Sequence, residues 1–147
     1  MYKSKLYFGV SGLILVALLA GGCAKPLIHP AGVRVEVSCN EFMQQQHIIK
    51  EVEVPINGFL TVILCSNPTT GFRWSESAQI SDQAVLEQID HVFVPPEAEN
   101  IVGGAGKEVW TFKALKEGNS TISMEYSRPW EGGEKGEWTF DLTVVVK

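Results

Sequence analysis

Side chains able to carry covalent or acid–base chemistry are sparse in this 147-residue chain. His29, His47 and His91 stand at no spacing that would gather them around a metal ion. Cys39 and Cys65 fall on runs that read as strands, not at helix N-termini where a thiolate would be stabilised. A Ser-His-Asp triad assembled in space leaves no mark in a sequence, and no motif suggests one. Gly103-Gly104-Ala105-Gly106 invites a phosphate-loop reading, which fails on spacing. Such a loop needs glycine where Ile101 stands and Ser or Thr where Glu108 stands, and it must open a helix rather than a Trp/Phe strand. Neither catalysis nor a cofactor nor a bound metal is expected.

Recognition chemistry is better represented. In Asn67-Pro68-Thr69-Thr70-Gly71-Phe72, Pro68 fixes its own φ and pushes Asn67 towards extended geometry. The β-branched Thr69 and Thr70 have little χ1 freedom to lose, and Gly71 can take a positive φ to turn the chain back. A loop so restricted costs less to order in a complex; an ordinary turn is the plainer reading. Around Gly103–Gly106 the alternatives are a flexible tip and a backbone edge that a partner can approach closely. Arg128-Pro129-Trp130 joins two residue types enriched in interface hot spots. Trp130 either faces a partner or folds back over the core with Arg128 stacked on it.

The segments that must position these loops have period two almost throughout. Val33, Val35, Val37 and Cys39 alternate with Arg34, Glu36 and Ser38, and Glu51 to Val54 alternates again before a hairpin turn expected at Asn57-Gly58. Phe59 to Cys65 is a continuous apolar run, the mark of a central strand. Residues 78 to 90 are ambiguous between a helical turn around Ala84–Leu86 and a strand running to Val94. Trp110, Phe112 and Ala114 share one face of a strand that should end at Gly118-Asn119. Ile122, Met124 and Tyr126 share the face of the next, and Trp138 to Val146 alternates cleanly. Trp74, Trp110 and Trp138 are therefore core candidates. Seven or eight short strands define an all-β fold, an antiparallel sandwich or barrel.

The N-terminus reads differently. Lys3 and Lys5 precede an apolar run from Leu6 to Ala20, followed by Gly21-Gly22-Cys23. This is the layout of a secretory signal, and the Cys after small residues resembles a bacterial lipoprotein signal with Cys23 as the lipidated mature N-terminus. An uncleaved anchor is the alternative, though the run is short for a span of about 20 residues. The expected division is a signal over 1–22, a lipidated tether over 23–32 and a domain over 33–147. The chain would be exported and held at the cell envelope by its lipid. Ala24 rather than Asp after Cys23 points to the outer membrane of a Gram-negative cell, and otherwise the cell surface is expected. With Lys3 and Lys5 removed, ten cations against 17 acids leave a net charge of −7. That balance, without a basic cluster, argues against nucleic acid as a partner. Cys39 and Cys65 then remain as an even pair in an oxidising setting. They are either a bridge, which would contribute on the order of 3 kcal/mol, or two buried thiols on core strands.

Taken in order, the three loops resemble the chagasin family of protein inhibitors of papain-like cysteine peptidases. The resemblance spans about residues 33 to 147. It is carried by Asn67-Pro68-Thr69-Thr70-Gly71-Phe72 with Trp74, by Gly103-Gly104-Ala105-Gly106, and by Arg128-Pro129-Trp130. In the second motif Ala105 stands where the family has its middle glycine. The resemblance implies an Ig-like sandwich with the loops clustered at one end, acting as a monomer on papain-like peptidases. The first loop would enter the catalytic cleft with Thr69 and Thr70 foremost, the other two would flank it, and inhibition would be reversible and non-covalent. An Ig-like surface lipoprotein that uses the same loops on another protein or a carbohydrate is the competing reading.

Overall fold

The computed structural model describes residues 32–96 and 103–147. The expected signal, Cys23, all but the last residue of the tether, and residues 97–102 ahead of Gly103 lie outside the described residues. Nine strands and one short helix follow in the order β1 (Val33–Val37), α1 (Cys39–Gln44), β2 (His47–Val54), β3 (Phe59–Ser66), β4 (Arg73–Trp74), β5 (Gln79–Ile80), β6 (Leu86–Val94), β7 (Gly106–Ala114), β8 (Gly118–Ser127) and β9 (Trp138–Val146). They make two sheets, one in the order β1-β3-β7-β6 and one in the order β2-β9-β8-β4, with β5 also paired to β8. The all-β sandwich expected from the alternation is thus observed.

The inward faces are those the alternation marks. Leu60, Val62 and Leu64 of β3 meet Trp110, Phe112 and Ala114 of β7 on one side. Ile122, Met124 and Tyr126 of β8 and Phe140, Leu142, Val144 and Val146 of β9 meet them from the other. Trp74 and Trp110 are buried, and Trp138 is packed against the same cluster. The indoles of Trp74 and Trp110 donate to the carbonyls of Cys65 (2.8 Å) and Glu76 (3.1 Å), so neither leaves a buried donor unpaired.

Several local expectations are corrected. Cys39 is not the end of β1 but the first residue of α1. Ser38 caps this helix: its hydroxyl accepts from Glu41 N–H, and the Glu41 carboxylate accepts from Ser38 N–H at 2.8 Å. The helix buries Phe42 against Trp74 and Trp138, with ring centroids 5.2 and 5.0 Å apart. Asn57-Gly58 closes no hairpin, because β2 and β3 belong to different sheets. Asn57 takes φ 62° and hands the chain across the end of the sandwich, held by Asn57 N–H to Ala114 O and Ala114 N–H to Gly58 O, both 3.0 Å. Since β1 and β3 share a sheet while β2 between them crosses to the other, β1 runs parallel to β3, and β2 likewise runs parallel to β9. The interior pairs are antiparallel as expected. Gly118 and Asn119 already pair with Val146 and Val145 as the start of β8, so the turn falls earlier. The ambiguous stretch contains both features, a turn before Leu86 and then β6.

A bulge in β6 between Gln88 and Asp90 shifts its register on β7 by one residue. Because strand side chains alternate, this slip puts His91 and Phe93 opposite Trp110 and Glu108, with His91 half-buried and Phe93 exposed. Cys39 and Cys65 form a disulfide with Cα atoms 5.1 Å apart, which decides between the two readings of the pair. It joins α1 to the end of β3, immediately before the first loop.

Candidate functional site

The ends of β3, β4, β7 and β8 converge at one pole of the sandwich. Ser66 pairs with Gly106, and Arg73 pairs with Ser127. These pairings bring all three recognition stretches of the sequence together.

The first stretch is a single 3₁₀ turn over Pro68–Thr70. Asn67 organises it. Its carboxamide oxygen accepts from Thr69 N–H (3.3 Å) and Thr69 Oγ1 (2.6 Å), and its carbonyl accepts from Thr70 N–H (3.2 Å) and Thr70 Oγ1 (2.7 Å). Gly71 ends the turn in the left-handed region at φ 82°, as its placement after two β-branched residues demands. Thr69 and Thr70 are exposed at the tip, while Phe72 is buried and stacked on Tyr126 at 5.5 Å. The Tyr126 hydroxyl accepts from Asn67 N–H at 2.8 Å, tying the turn to the core.

The second stretch lies alongside. Asn67 Nδ2 donates to Gly103 O at 3.0 Å. Gly103 has φ 80° and requires glycine. Gly106 requires it for a different reason, since a Cβ there would strike Val94 O and stand 2.7 Å from the Phe93 ring. Ala105 has no positive φ and is exposed, so the methyl group at this position meets no steric barrier.

In the third stretch the Arg128 guanidinium lies over the Phe72 ring at 4.4 Å and 5.9 Å from the Trp130 ring. It pairs with Glu134 at 2.9 Å and donates to Thr70 O at 3.4 Å. Its Nε is buried and meets no acceptor among the described residues. Arg128 therefore faces inward as a strut between the first and third loops. Trp130 does not cap the core: it is 52% exposed, with its ring edge over Gly71, where a Cβ would stand 2.7 Å from Cη2. The loop closes on itself through Arg128 N–H to Glu134 O (2.8 Å) and Gly133 N–H to Trp130 O (3.1 Å), and the Lys135 ammonium reaches the carbonyls of both Arg128 and Trp130. Glu134 and Lys135 escape sequence reading because they are ordinary surface types; only their place shortly after Arg-Pro-Trp hints at them.

The remaining reactive side chains support no catalytic arrangement. His47 bonds Thr139 through Nδ1 at 2.9 Å, and His29 lies outside the described residues. Cys39 does open a helix, contrary to the sequence reading, but it is oxidised in the disulfide. Ser66, His91 and Glu108 do meet. Yet the buried Ser66 hydroxyl donates to the Glu108 carboxylate (2.6 Å) and not to His91, so the Ser–His contact of a triad is not made.

A β-sandwich that offers three loops at one pole, the second and third each bonded to the first, with no metal cluster or Ser–His pair among the described residues, defines a binding module whose instrument is a shaped surface. The sequence matches the family described as "Chagasin family peptidase inhibitor I42" over residues 53–144, and the chain belongs to that family. It is an inhibitor and not an enzyme. Amoebiasin-2 of Entamoeba histolytica is 30% identical over 115 residues, 74% of this chain and 92% of its own length. Chagasin of Trypanosoma cruzi is 27% identical over 96 residues, 64% of this chain and 84% of its own. Among solved structures, a cysteine protease inhibitor from Entamoeba histolytica superposes with a TM-score of 0.61 at 24% identity, covering 80% of this chain and 99% of that one. PbICP-C, solved in complex with falcipain-2, gives 0.57 at 16% identity, covering 79% and 100%. At these identities the two structures speak for the fold alone.

Proposed function

We propose that this chain is a reversible, non-covalent inhibitor of papain-like cysteine peptidases that fills the catalytic cleft with its three loops. Thr69 and Thr70 enter foremost, Gly103–Gly106 lines one side with little side-chain bulk, and Trp130 packs on the other. The single observation carrying this reading is the cross-bonding of the loops, Asn67 to Gly103 and Arg128 to Thr70, beneath exposed Thr69, Thr70 and Trp130. A surface ordered before contact loses little conformational entropy on binding. The same order keeps the Thr69–Thr70 bond from adopting the extended form that a peptidase cleaves.

The test is titration of active-site-titrated papain with residues 32–147, the segment that holds both sheets and the core. Activity should fall in proportion to added inhibitor, return on dilution, and leave the inhibitor uncut. Full papain activity at a large excess would sink the reading and favour an Ig-like module for another protein or carbohydrate. The proposal extends to the N-terminus, where Gly21-Gly22-Cys23 supports lipid attachment at Cys23 and retention at the cell envelope. Incorporation of labelled palmitate that is lost in Cys23→Ser checks it; equal labelling of that variant would overturn it. Among the described residues no helix is long and apolar enough to cross a membrane.

A further inference from the structure

The two most exposed large apolar side chains among the described residues lie outside the three loops. Ile49 is 76% exposed and Met43 68%, against 52% for Trp130. Both belong to the passage from α1 into β2, which is fixed at the loop pole from both ends. At its start Cys39 is bonded to Cys65, two residues before Asn67. At its end Gln46 O accepts from Thr139 N–H at 3.0 Å, and Thr139 stands opposite Glu125, three residues before Arg128. β1 and β2 flank β3 and β9 in their sheets. Helix α1 therefore crosses between the sheets about one strand spacing, roughly 4.8 Å, to the side of the roots of the first and third loops.

Within the helix Phe42 is buried against Trp74 and Trp138, and Met43 follows Cys39 by four residues. Residues so spaced share one face, so Met43 stands on the side of α1 that the disulfide ties to the end of β3. Glu41, Gln44 and Gln45 take the other side, where they line a groove of about 440 Å³ with Ile49. The capping box and the bridge order the helix before any contact. From Met43 to Ile49 the chain carries no acid, lysine or arginine, although the domain as a whole is acidic. An exposed methionine on a fixed element amid uncharged neighbours has the composition of an interface centre, not of a solvated face. Interface size points the same way. Eleven residues of the three motifs are not buried, whereas one side of a stable interface uses about 20–30. A partner held by the loops must also rest on surface beside them.

We propose that α1 is a fourth contact element, and that Met43 packs on an apolar, uncharged patch of the target peptidase beside the mouth of its cleft. This rests on the inhibitory function given above and adds the chemistry of the surface that the peptidase must offer. A peptidase with a charged side chain at that place is held less tightly, because the thioether strips water from the charge and gives it no partner. Met43 is thereby a specificity residue, and one that lies outside the three loops.

The experiment measures Ki, dissociation rate and Tm for residues 32–147 and their variants, with papain as the peptidase. Met43→Ala should raise Ki about tenfold, through faster dissociation and with Tm unchanged. Met43→Leu keeps the apolar volume and should restore wild-type inhibition. Ile56→Ala removes an exposed apolar side chain at the far pole, where Ile56 N–H bonds Lys147 O, and should leave Ki as it is. A Ki for Met43→Ala within about twofold of wild type overturns the proposal, and so does an equal loss in Ile56→Ala. A second readout needs no variant. Residues 32–147 contain two methionines, exposed Met43 and buried Met124. With both labelled at the methyl carbon, papain should shift the Met43 resonance and leave that of Met124 in place. An unmoved Met43 signal in an inhibited complex overturns the proposal. If the wild type leaves papain fully active, the functional reading falls and takes this proposal with it, whereas inhibition that ignores Met43 sinks this proposal alone.

Discussion

At the scale of single residues the site divides into groups that face outward and groups that hold them. Trp130 is exposed and contributes no core packing, so Trp130→Ala should weaken papain inhibition by about 30-fold, the ~2 kcal/mol of an interface hot spot, with Tm moving by less than about 2 °C. A large fall in Tm would mean the indole supports the fold after all. Gly71 combines φ 82° with the Trp130 ring against its Cα. Gly71→Ala should therefore cost about 1 kcal/mol of stability and displace the indole, so denaturation and inhibition assays both register it. Carboxylates supply a pH test. Glu41 is held below its usual 4.5 first by the Ser38 backbone N–H and then by the Ser38 hydroxyl, and Glu36 by the Lys107 ammonium and then Arg34. A depressed carboxylate stabilises the fold above its unfolded-state value and loses that contribution as pH falls through its lower folded value. The Tm gap between wild type and Glu41→Gln should be constant above about pH 5 and shrink below about 4.5. The outward residues were legible because Asn-Pro-Thr-Thr-Gly and Arg-Pro-Trp are unusual in composition. Tyr126, Glu134 and Lys135 were not, since a tyrosine on a core face and two charges in a loop declare nothing until the contacts exist.

At the scale of elements, period two located the long strands and failed where the chain changes sheet. Helix α1 is the clearest miss. Ser38-Cys39-Asn40-Glu41 is a capping box in plain sequence, but Val33, Val35 and Val37 made Cys39 look like one more alternating position. Ser38→Ala removes the cap and should lower stability by about 1 kcal/mol, measured by denaturant unfolding. The helix is fastened twice, by Phe42 within the aromatic cluster and by Cys39–Cys65. Replacing both cysteines by serine should cost about 3 kcal/mol. Because Cys65 lies next to the root of the first loop, the same change should loosen inhibition as well. An unchanged Ki would show that Asn67 and Tyr126 hold the turn without help. The turn at Asn57 and the β6 bulge share one cause of illegibility: each depends on which strand lies alongside, and adjacency is decided by the whole sandwich.

At the scale of the molecule, the three-loop edge and the start of the domain occupy opposite poles. β1 runs parallel to β3, with Val33 beside Leu60, and β3 then runs on to Asn67. At roughly 3.3 Å per residue, about 23 Å separates Leu60 from the first loop. Lys147 lies at the same far pole, its N–H bonded to Val54 O. Coupling the chain to beads through its N-terminus should therefore leave papain capture undiminished, while coupling through Lys135 should abolish it; equal capture by both would contradict the placement. A surface coupled at Val33 would have the sandwich between it and the loops. Parallel pairing of one short edge strand thus puts the start of the sandwich about 23 Å from the three loops.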